Sequence, residues 1–473
     1  MLLSTRRGCG FNSVKLSLRV IIVLCILLIY VSSRILLSSF SSALPDKIEP
    51  NFRIDNSYQK YNHQHDNADD IIDNIIANDR NIVDILEYNE SMSTNYTAQI
   101  SQYQSESGTT VTNTTTAAPT KKPPSMEDMI IDTQRQKIAA EMNDFNFTEE
   151  MIGLSSLTPE TNGRQIHNII ISTWRSGSTF LGDILNAIPG TFYHFEPLAH
   201  FLTAQIRGPP KSTDAINTIS ELLKCNYTGL QQYLRHSKES GNQFLRAHTV
   251  PLWNSCKPHE NLCWDPNFLN SFCRLFPIQT MKIVRLRAAF AESLFKDPAL
   301  NVKVVLLIRD PRGTMASRKP HSWCDRPDCN TSAELCKDLV DDFKSAKILI
   351  NKYPSQFKAI RYEDLSLNPF NMTKEIFNFY GMPFDQNIDN YLDLHTRTRD
   401  GGDYSTFRDS KTVPFLWTRS STWAEVQRIQ SYCAKAMSVW GYKLIDNKKE
   451  LNSTMFNPLL QNPFAYDADF AAT

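Results

Sequence analysis

From residue 167 onward, short apolar runs alternate with segments of helical period. The runs are HNIIIS (167–172), MKIVRLRA (281–288), NVKVVLLIRD (301–310) and FKAIRYEDL (357–365). Between them, TFLGDILNAI (179–188) and AELCKDLVDDFKSAKILINKY (333–353) repeat apolar residues every three or four positions. AEVQRIQSYCAKAMSVWGY (424–442) does the same near the C-terminus. Strands that are apolar throughout are those covered by helices on both faces. The pattern therefore predicts an α/β domain over residues 161–447, with a parallel sheet flanked by helices and a closing amphipathic helix. Residues 448–473 read as a C-terminal tail.

Upstream the pattern differs. VIIVLCILLIYVSS (20–33) has no charge, and the flanking LSL and ILLSSF extend its apolar character over 16–38. A membrane span needs about 20 such residues. Arg6, Arg7, Lys15 and Arg19 precede its core, so the positive-inside rule assigns residues 1–15 to the cytoplasm and the rest of the chain to the lumenal side. The alternative, a cleaved signal peptide, would show a shorter n-region and a small-x-small site. Residues 39–160 are rich in Asn, Asp, Ser, Thr and Gln and include TTVTNTTTAAPTKKPPS (109–125), the composition of a glycosylated stem. Within it, residues 69–90 set Ile72, Ile75, Ile76, Ile82, Val83 and Leu86 on one helical face. That face fits either a transient acidic helix or a homodimer contact through the stem.

Composition sharpens the compartment. The 473 residues carry 50 basic and 50 acidic side chains, a formal net charge of zero, so global charge points to no nucleic-acid partner. Sequons stand at Asn89, Asn95, Asn113, Asn146, Asn226, Asn330, Asn371 and Asn452. Eight cysteines follow the apolar span: Cys225, Cys256, Cys263, Cys273, Cys324, Cys329, Cys336 and Cys433. An even number in an oxidising compartment predicts disulfides, with the pairing left open. A zinc reading of Cys324, Cys329 and Cys336 lacks the usual short paired spacing, so no metal is expected.

Candidate chemistry lies at two strand-to-helix turns. STWRSGSTF (172–180) leaves a strand and opens a helix whose first N–H groups lack intrahelical partners. Gly177 allows close backbone approach, Ser178 and Thr179 supply hydroxyls, and Arg175 supplies a charged donor. The turn is a phosphate cradle by composition, but it is not a Walker A sequence, because Ser178 stands where that motif carries its Lys. An ordinary capped helix is the alternative. The second turn is VVLLIRDPRGTMASRK (304–319). Here Arg309 ends a strand, and Ser317 sits on the next helix, eight residues further on. Arg309 and Ser317 can converge on one anion at the sheet edge where open α/β folds bind ligands. Two such sites predict one ligand with two separated phosphates. The alternative is a surface pair between Arg309 and Asp310.

The segments IISTWRSGSTFLGDILN, FYHFEPLAH, LLIRDPRGTMASR, RYEDL and WGY resemble the Golgi carbohydrate sulfotransferases, in particular the galactose/N-acetylglucosamine/N-acetylgalactosamine 6-O-sulfotransferase family. The resemblance spans roughly 161–445. It implies a P-loop-like sulfotransferase fold and a type II Golgi membrane protein. The implied co-substrate is 3′-phosphoadenosine 5′-phosphosulfate (PAPS), and the implied acceptor is a glycan on a glycoprotein or proteoglycan. It also implies that Thr173, Trp174, Arg175, Ser176, Gly177, Ser178, Thr179 and Phe180 form the 5′-phosphosulfate loop. Arg309, Asp310, Pro311, Arg312, Gly313 and Ser317 would form the 3′-phosphate segment, with Arg309 and Ser317 as the principal contacts. Trp174 departs from the small or hydroxyl residue usual there.

Sulfuryl transfer needs a cation for the leaving oxygen, here Arg175, and a base for the acceptor hydroxyl. Glu196, in the recurring FEP segment, is the first candidate base, with a pKa expected to be raised beside an apolar wall. His200 and His194 stand in reserve. Glu363 and Asp364 are expected to serve structural hydrogen bonds. Arg408, Trp417 and Arg419, in a late loop, are candidates to cover the donor's adenosine. Two other readings compete. One is a type II Golgi glycosyltransferase, whose metal-binding DxD matches only at Asp467–Asp469. The other is a catalytically dead lumenal glycan-binding protein.

Overall fold

Successive residues of the central strands face opposite layers, and both layers are dry. A computed structural model describes residues 124–460 apart from 144, 148–152, 240, 260, 398–405, 407, 452 and 454–455. Among the described residues, β1 (Ile166–Ile171), β2 (Thr191–Phe195), β3 (Ile278–Ile283), β4 (Val302–Ile308) and β5 (Phe357–Arg361) form one sheet in the order β2-β3-β1-β4-β5. All neighbours pair parallel, as the continuous apolar runs require. The helices that matter here are α1 (Met126–Glu141), α2 (Ser178–Asn186), α3 (Pro311–Arg318), α4 (Ser332–Lys352), α5 (Tyr362–Leu367), α6 (Pro369–Tyr380) and α7 (Trp423–Val439).

On one face, Ile169, Ile171, Val304 and Leu306 pack with Leu335, Leu339 and Phe343 of α4 and with Ile429 and Met437 of α7. On the other, Ile170, Val305, Leu307 and Ile360 pack with Leu181, Ile184 and Leu185 of α2 and with Ile376 and Phe377 of α6. β1 is therefore central and covered on both sides, and its C-terminal end opens directly into the 172–177 turn. The expected α/β class and flanking helices are what is found.

Four disulfides join Cys225–Cys273, Cys256–Cys263, Cys324–Cys329 and Cys336–Cys433. They use all eight cysteines and rule out Cys324, Cys329 and Cys336 as thiolate ligands. Cys336–Cys433 ties α4 to α7 across 97 residues of sequence.

Both expected domain boundaries need correction. Residues 126–142 belong to the packed body rather than to a stem. Ser125 and Asp128 form a reciprocal capping box on α1, and Ile138 and Met142 are buried in the main core. Each such side chain is worth roughly 1.5–3 kcal/mol when buried, enough to hold this helix of 16 residues against the body. At the other end, Leu451 packs with Trp417, Val426 and Ile445, and Leu459 pairs antiparallel with Tyr442, so the chain past 447 folds back. TFYHF (191–195), read only as a source of bases, is the edge strand β2. Residues 1–15, expected to be cytoplasmic, the apolar span 16–38 and the amphipathic stretch 69–90 lie outside the described residues. Among those described, no helix is long and apolar enough to cross a membrane.

Candidate active site

The first turn is shaped by two left-handed residues, Arg175 (φ +64°) and Gly177 (φ +85°). Gly177 is required twice over, because a Cβ there would overlap the ring of Tyr362, which opens α5. A left-handed Arg costs about 1–2 kcal/mol. Two contacts hold it in place. Arg175 Nε donates to Ser317 Oγ at 3.1 Å, and its carbonyl accepts from Arg309 Nη1 at 2.9 Å. The sequence reading expected Arg309 and Ser317 to meet, and the structure brings them together around Arg175.

Arg175, Gly177 and Thr179 are partly exposed, whereas Thr173, Trp174, Ser176, Ser178 and Phe180 are buried. Thr173 Oγ1 and the Trp174 carbonyl accept hydrogen bonds from Arg318, and Phe180 joins the core beneath the sheet. The guanidinium groups of Arg285 and Arg318 lie 5.4 and 5.8 Å from the centroid of the Trp174 ring. These side chains support the turn from behind. Ser176 Oγ and Arg309 Nε are both buried and have no protein partner. They sit on the two facing turns and are among several buried polar atoms without a protein partner; a ligand seated at the junction of the turns would satisfy both.

The second segment divides in two. Arg309 spans the turn, with its guanidinium 4.9 Å above the Tyr362 ring, and Ser317 is partly exposed. Asp310, Pro311, Arg312 and Gly313 face inward. Asp310 caps α3 by accepting from the Arg312 N–H and forms a 2.6 Å ion pair with the Arg312 guanidinium. That group is fully buried, donates to Gln430 and lies 4.2 Å from the Trp417 ring. The side chains of Asp310 and Arg312, expected at the donor, are thus engaged with each other in an internal scaffold. Asp310 pairs with Arg312, not with Arg309. Gly313 leaves room for Arg309 and Trp417, whose nearest atoms would lie 3.1 and 3.2 Å from an added Cβ. Trp417, a candidate adenosine cover, is a buried wedge; Arg419 is exposed, and the Arg408 N–H donates to the His395 carbonyl.

Glu363 accepts from the Asp310 N–H and from the Tyr442 hydroxyl, at 3.0 and 2.8 Å. Burial first, then the Asp310 charge, pushes its carboxyl up to about 7. Arg361 pairs with Asp364 and donates to the Gly441 carbonyl. The RYEDL and WGY segments are thus one structural joint beneath both turns, as expected for Glu363 and Asp364.

The base candidates bring the main correction. Burial alone would raise the Glu196 carboxyl, but Lys282 Nζ at 3.0 Å and Arg285 Nη1 at 2.6 Å outweigh it and hold the pKa at about 2. The expected apolar wall is a pair of cations. Lys282 Nζ also reaches Thr179 Oγ1 at 3.3 Å. His194 bonds Gln279 inside the core and is pushed down to about 3 by burial. Burial likewise lowers His200 to about 4. His200 borders a cavity of about 10 Å³ shared with Glu196, Tyr233, His236 and Arg246, room for about one water. Among the described residues no three His, Cys, Asp or Glu side chains are grouped as metal ligands.

Sequence reasoning missed Arg318, Lys282, Arg285 and Tyr362. A lysine inside the otherwise buried strand MKIV was the available signal, because a buried charge must find a partner.

The family model described as "Sulfotransferase domain" matches residues 165–435. "Carbohydrate sulfotransferase 1" of Mus musculus is 27% identical over 349 residues, covering 64% of this chain and 85% of that protein. "Carbohydrate sulfotransferase 3" of Mus musculus is 26% identical over 334 residues, covering 62% and 71%. Among solved structures, the sulfotransferase domain from the Synechococcus PCC 7002 olefin synthase is 16% identical, with 56% of this chain and 94% of that one covered and a TM-score of 0.32. The match to the family model takes in more than half of the chain and both turns, and the chain belongs to the sulfotransferase-domain family.

Proposed function

We propose that this protein transfers the sulfuryl group of PAPS to the 6-hydroxyl of galactose, N-acetylglucosamine or N-acetylgalactosamine in glycans of glycoproteins or proteoglycans. The observation that carries the reading is the junction of the two turns: Arg175, Ser317 and Arg309 interlocked beside the unpartnered Ser176 Oγ and Arg309 Nε. Gly177, Ser178 and Thr179 at the positive end of α2 fit the phosphosulfate, and Arg309 with Ser317 fits the 3′-phosphate. The names of the relatives support a sugar acceptor.

The reaction is an in-line displacement at sulfur. Negative charge grows on the oxygen bridging to the 5′-phosphate, and the α2 N–H groups and nearby cations stabilise it. Arg175 supplies positive charge at the turn; Glu196 and His200 are the groups of the FYHFEPLAH segment to which the acceptor proton is assigned. A single-pass type II Golgi protein with its transferase body in the lumen fits the disulfides and the exposed sequon residues Asn146, Asn226, Asn330 and Asn371.

Calorimetric titration of the purified protein with adenosine 3′,5′-bisphosphate (PAP) tests the donor site, and sulfate transfer to a panel of oligosaccharides tests the acceptor. Ser317→Ala should weaken PAP binding by about tenfold or more, the worth of one charge-assisted hydrogen bond. Absence of saturable PAP binding to the wild type would overturn the reading.

A further inference from the structure

We propose that the small cavity behind the FEP segment is a binding site for a monatomic anion, and that the anion is chloride. The site is separate from the two donor turns and does not depend on the PAPS reading.

Three pieces of chain enclose the cavity. The end of β2 and the FEP segment form one wall. Tyr233, His236 and Ser237 come from the helix Gln231–Lys238, and Arg246 comes from the helix Gln243–Ala247. Arg246 is only 3% exposed, yet its Nε and Nη2 have no hydrogen-bond partner. Among the described residues no carboxylate pairs with it. Other buried arginines are provided for. Arg285, Arg287 and Arg312 each face a carboxylate, and Arg318 donates to three oxygens. A buried guanidinium without a counter-charge is strongly unfavourable. The rings of Tyr233 and Trp264, each 5.5 Å from its central carbon, offset only part of that cost. Trp264 Nε1 is a further buried donor without a partner.

The charge around the cavity is positive. Glu196 stands in the wall, but its two oxygens are taken by Lys282 at 3.0 Å and Arg285 at 2.6 Å. With Arg246 that makes three cations to one carboxylate. Of the other acids nearby, Asp183 acts on Lys282, and Glu239 is exposed, 3.8 Å from His236. His194, His200, His236 and His248 are all pushed down, by burial first, and are neutral near pH 7.

Positive charge draws an anion, and size selects it. The cavity of about 10 Å³ has room for one water-sized body, which excludes sulfate, phosphate and a sugar carboxylate. A water would satisfy the donors of Arg246 and leave its charge uncompensated. A single halide ion does both. Seated there, it would tie the FEP segment to the two short helices.

The test is thermal melting of the purified full chain, with PAP at saturation so that the donor turns are blocked. Sodium chloride at about 100 mM is compared with sodium gluconate of equal ionic strength, gluconate being too large to enter. With Kd ten- to a hundredfold below that concentration, chloride should raise Tm by about 2–4 °C, saturably. Bromide should act likewise. Arg246→Met should abolish the difference, whereas Arg235→Met, which removes an exposed cation from the neighbouring helix, should keep it. Equal melting of the wild type in chloride and gluconate overturns the proposal, and so does an undiminished difference in Arg246→Met. Should that variant not fold, crystals of the wild type grown in sodium bromide decide: an anomalous peak against the Arg246 guanidinium is expected, and its absence overturns the proposal. A wild type that does not bind PAP would defeat the donor reading alone, because the comparison with Arg246→Met still reads this site.

Discussion

Arg318 offers the sharpest test of how the donor turn is held. Its guanidinium is buried and donates to the Trp174 carbonyl at 3.0 Å, the Cys329 carbonyl at 2.8 Å and Thr173 Oγ1 at 2.6 Å. Arg318→Met keeps much of the volume and removes all three donors. Two buried carbonyls then lack partners, at about 1–3 kcal/mol each, while release of the guanidinium from its desolvated site returns part of that. The net loss should be about 3 kcal/mol. For a body of more than 300 residues that is a fall in melting temperature of roughly 4–5 °C. Freed of its anchor, the turn should relax from the left-handed Arg175, and PAP affinity should drop about tenfold. Arg318→Lys reaches at most one of the three acceptors at a time and should recover less than half of the loss. Thermal melting together with PAP calorimetry reads both effects. A variant melting within about 2 °C of wild type, with PAP affinity unchanged, would refute the claim that Arg318 holds the turn.

Two further outcomes follow from the same joint. Gly177→Ala should abolish PAP binding, because the added methyl meets the Tyr362 ring at a left-handed position; a variant that binds PAP like wild type would show that the turn can shift. For Glu363, the folded pKa of about 7 lies above the usual 4.5 of a free glutamate, so the folded state holds the proton more tightly. Its contribution is present below about pH 4.5 and is lost as pH rises towards 7, by up to about 3 kcal/mol. Glu363→Gln should therefore flatten the decline of melting temperature between about pH 5 and 7.5, and an unchanged slope would refute the assignment.

The sheet and the two turns were legible in the sequence for physical reasons. A strand buried on both faces must be apolar throughout, and an anion cradle must pair a strand end with a helix start. What was not legible depends on strand order. Lys282 and Thr179 are distant in sequence and meet only because β3 lies beside β1. The same holds for Arg285, whose charge turned the expected apolar wall around Glu196 into its opposite. Arg318 has no signature beyond following Ser317, because the carbonyls it serves belong to two separate segments, the 172–177 turn and the stretch around Cys329. α1 was hidden by its polar composition, although its Ser125–Asp128 cap was readable. Asp310 and Arg312 show the reverse case: their side chains, assigned to the donor by resemblance, pair with each other inside the fold. A motif can be shared by a family for its internal wiring as much as for its contacts.

The bonds from Arg175 Nε to Ser317 and from Arg309 to the Arg175 carbonyl make one hinge-free knot out of segments more than 130 residues apart. Damage at any of the three positions is felt at the other two. Substitution effects there are communal: measured singly, each overstates its own share, and together they add to less than their sum.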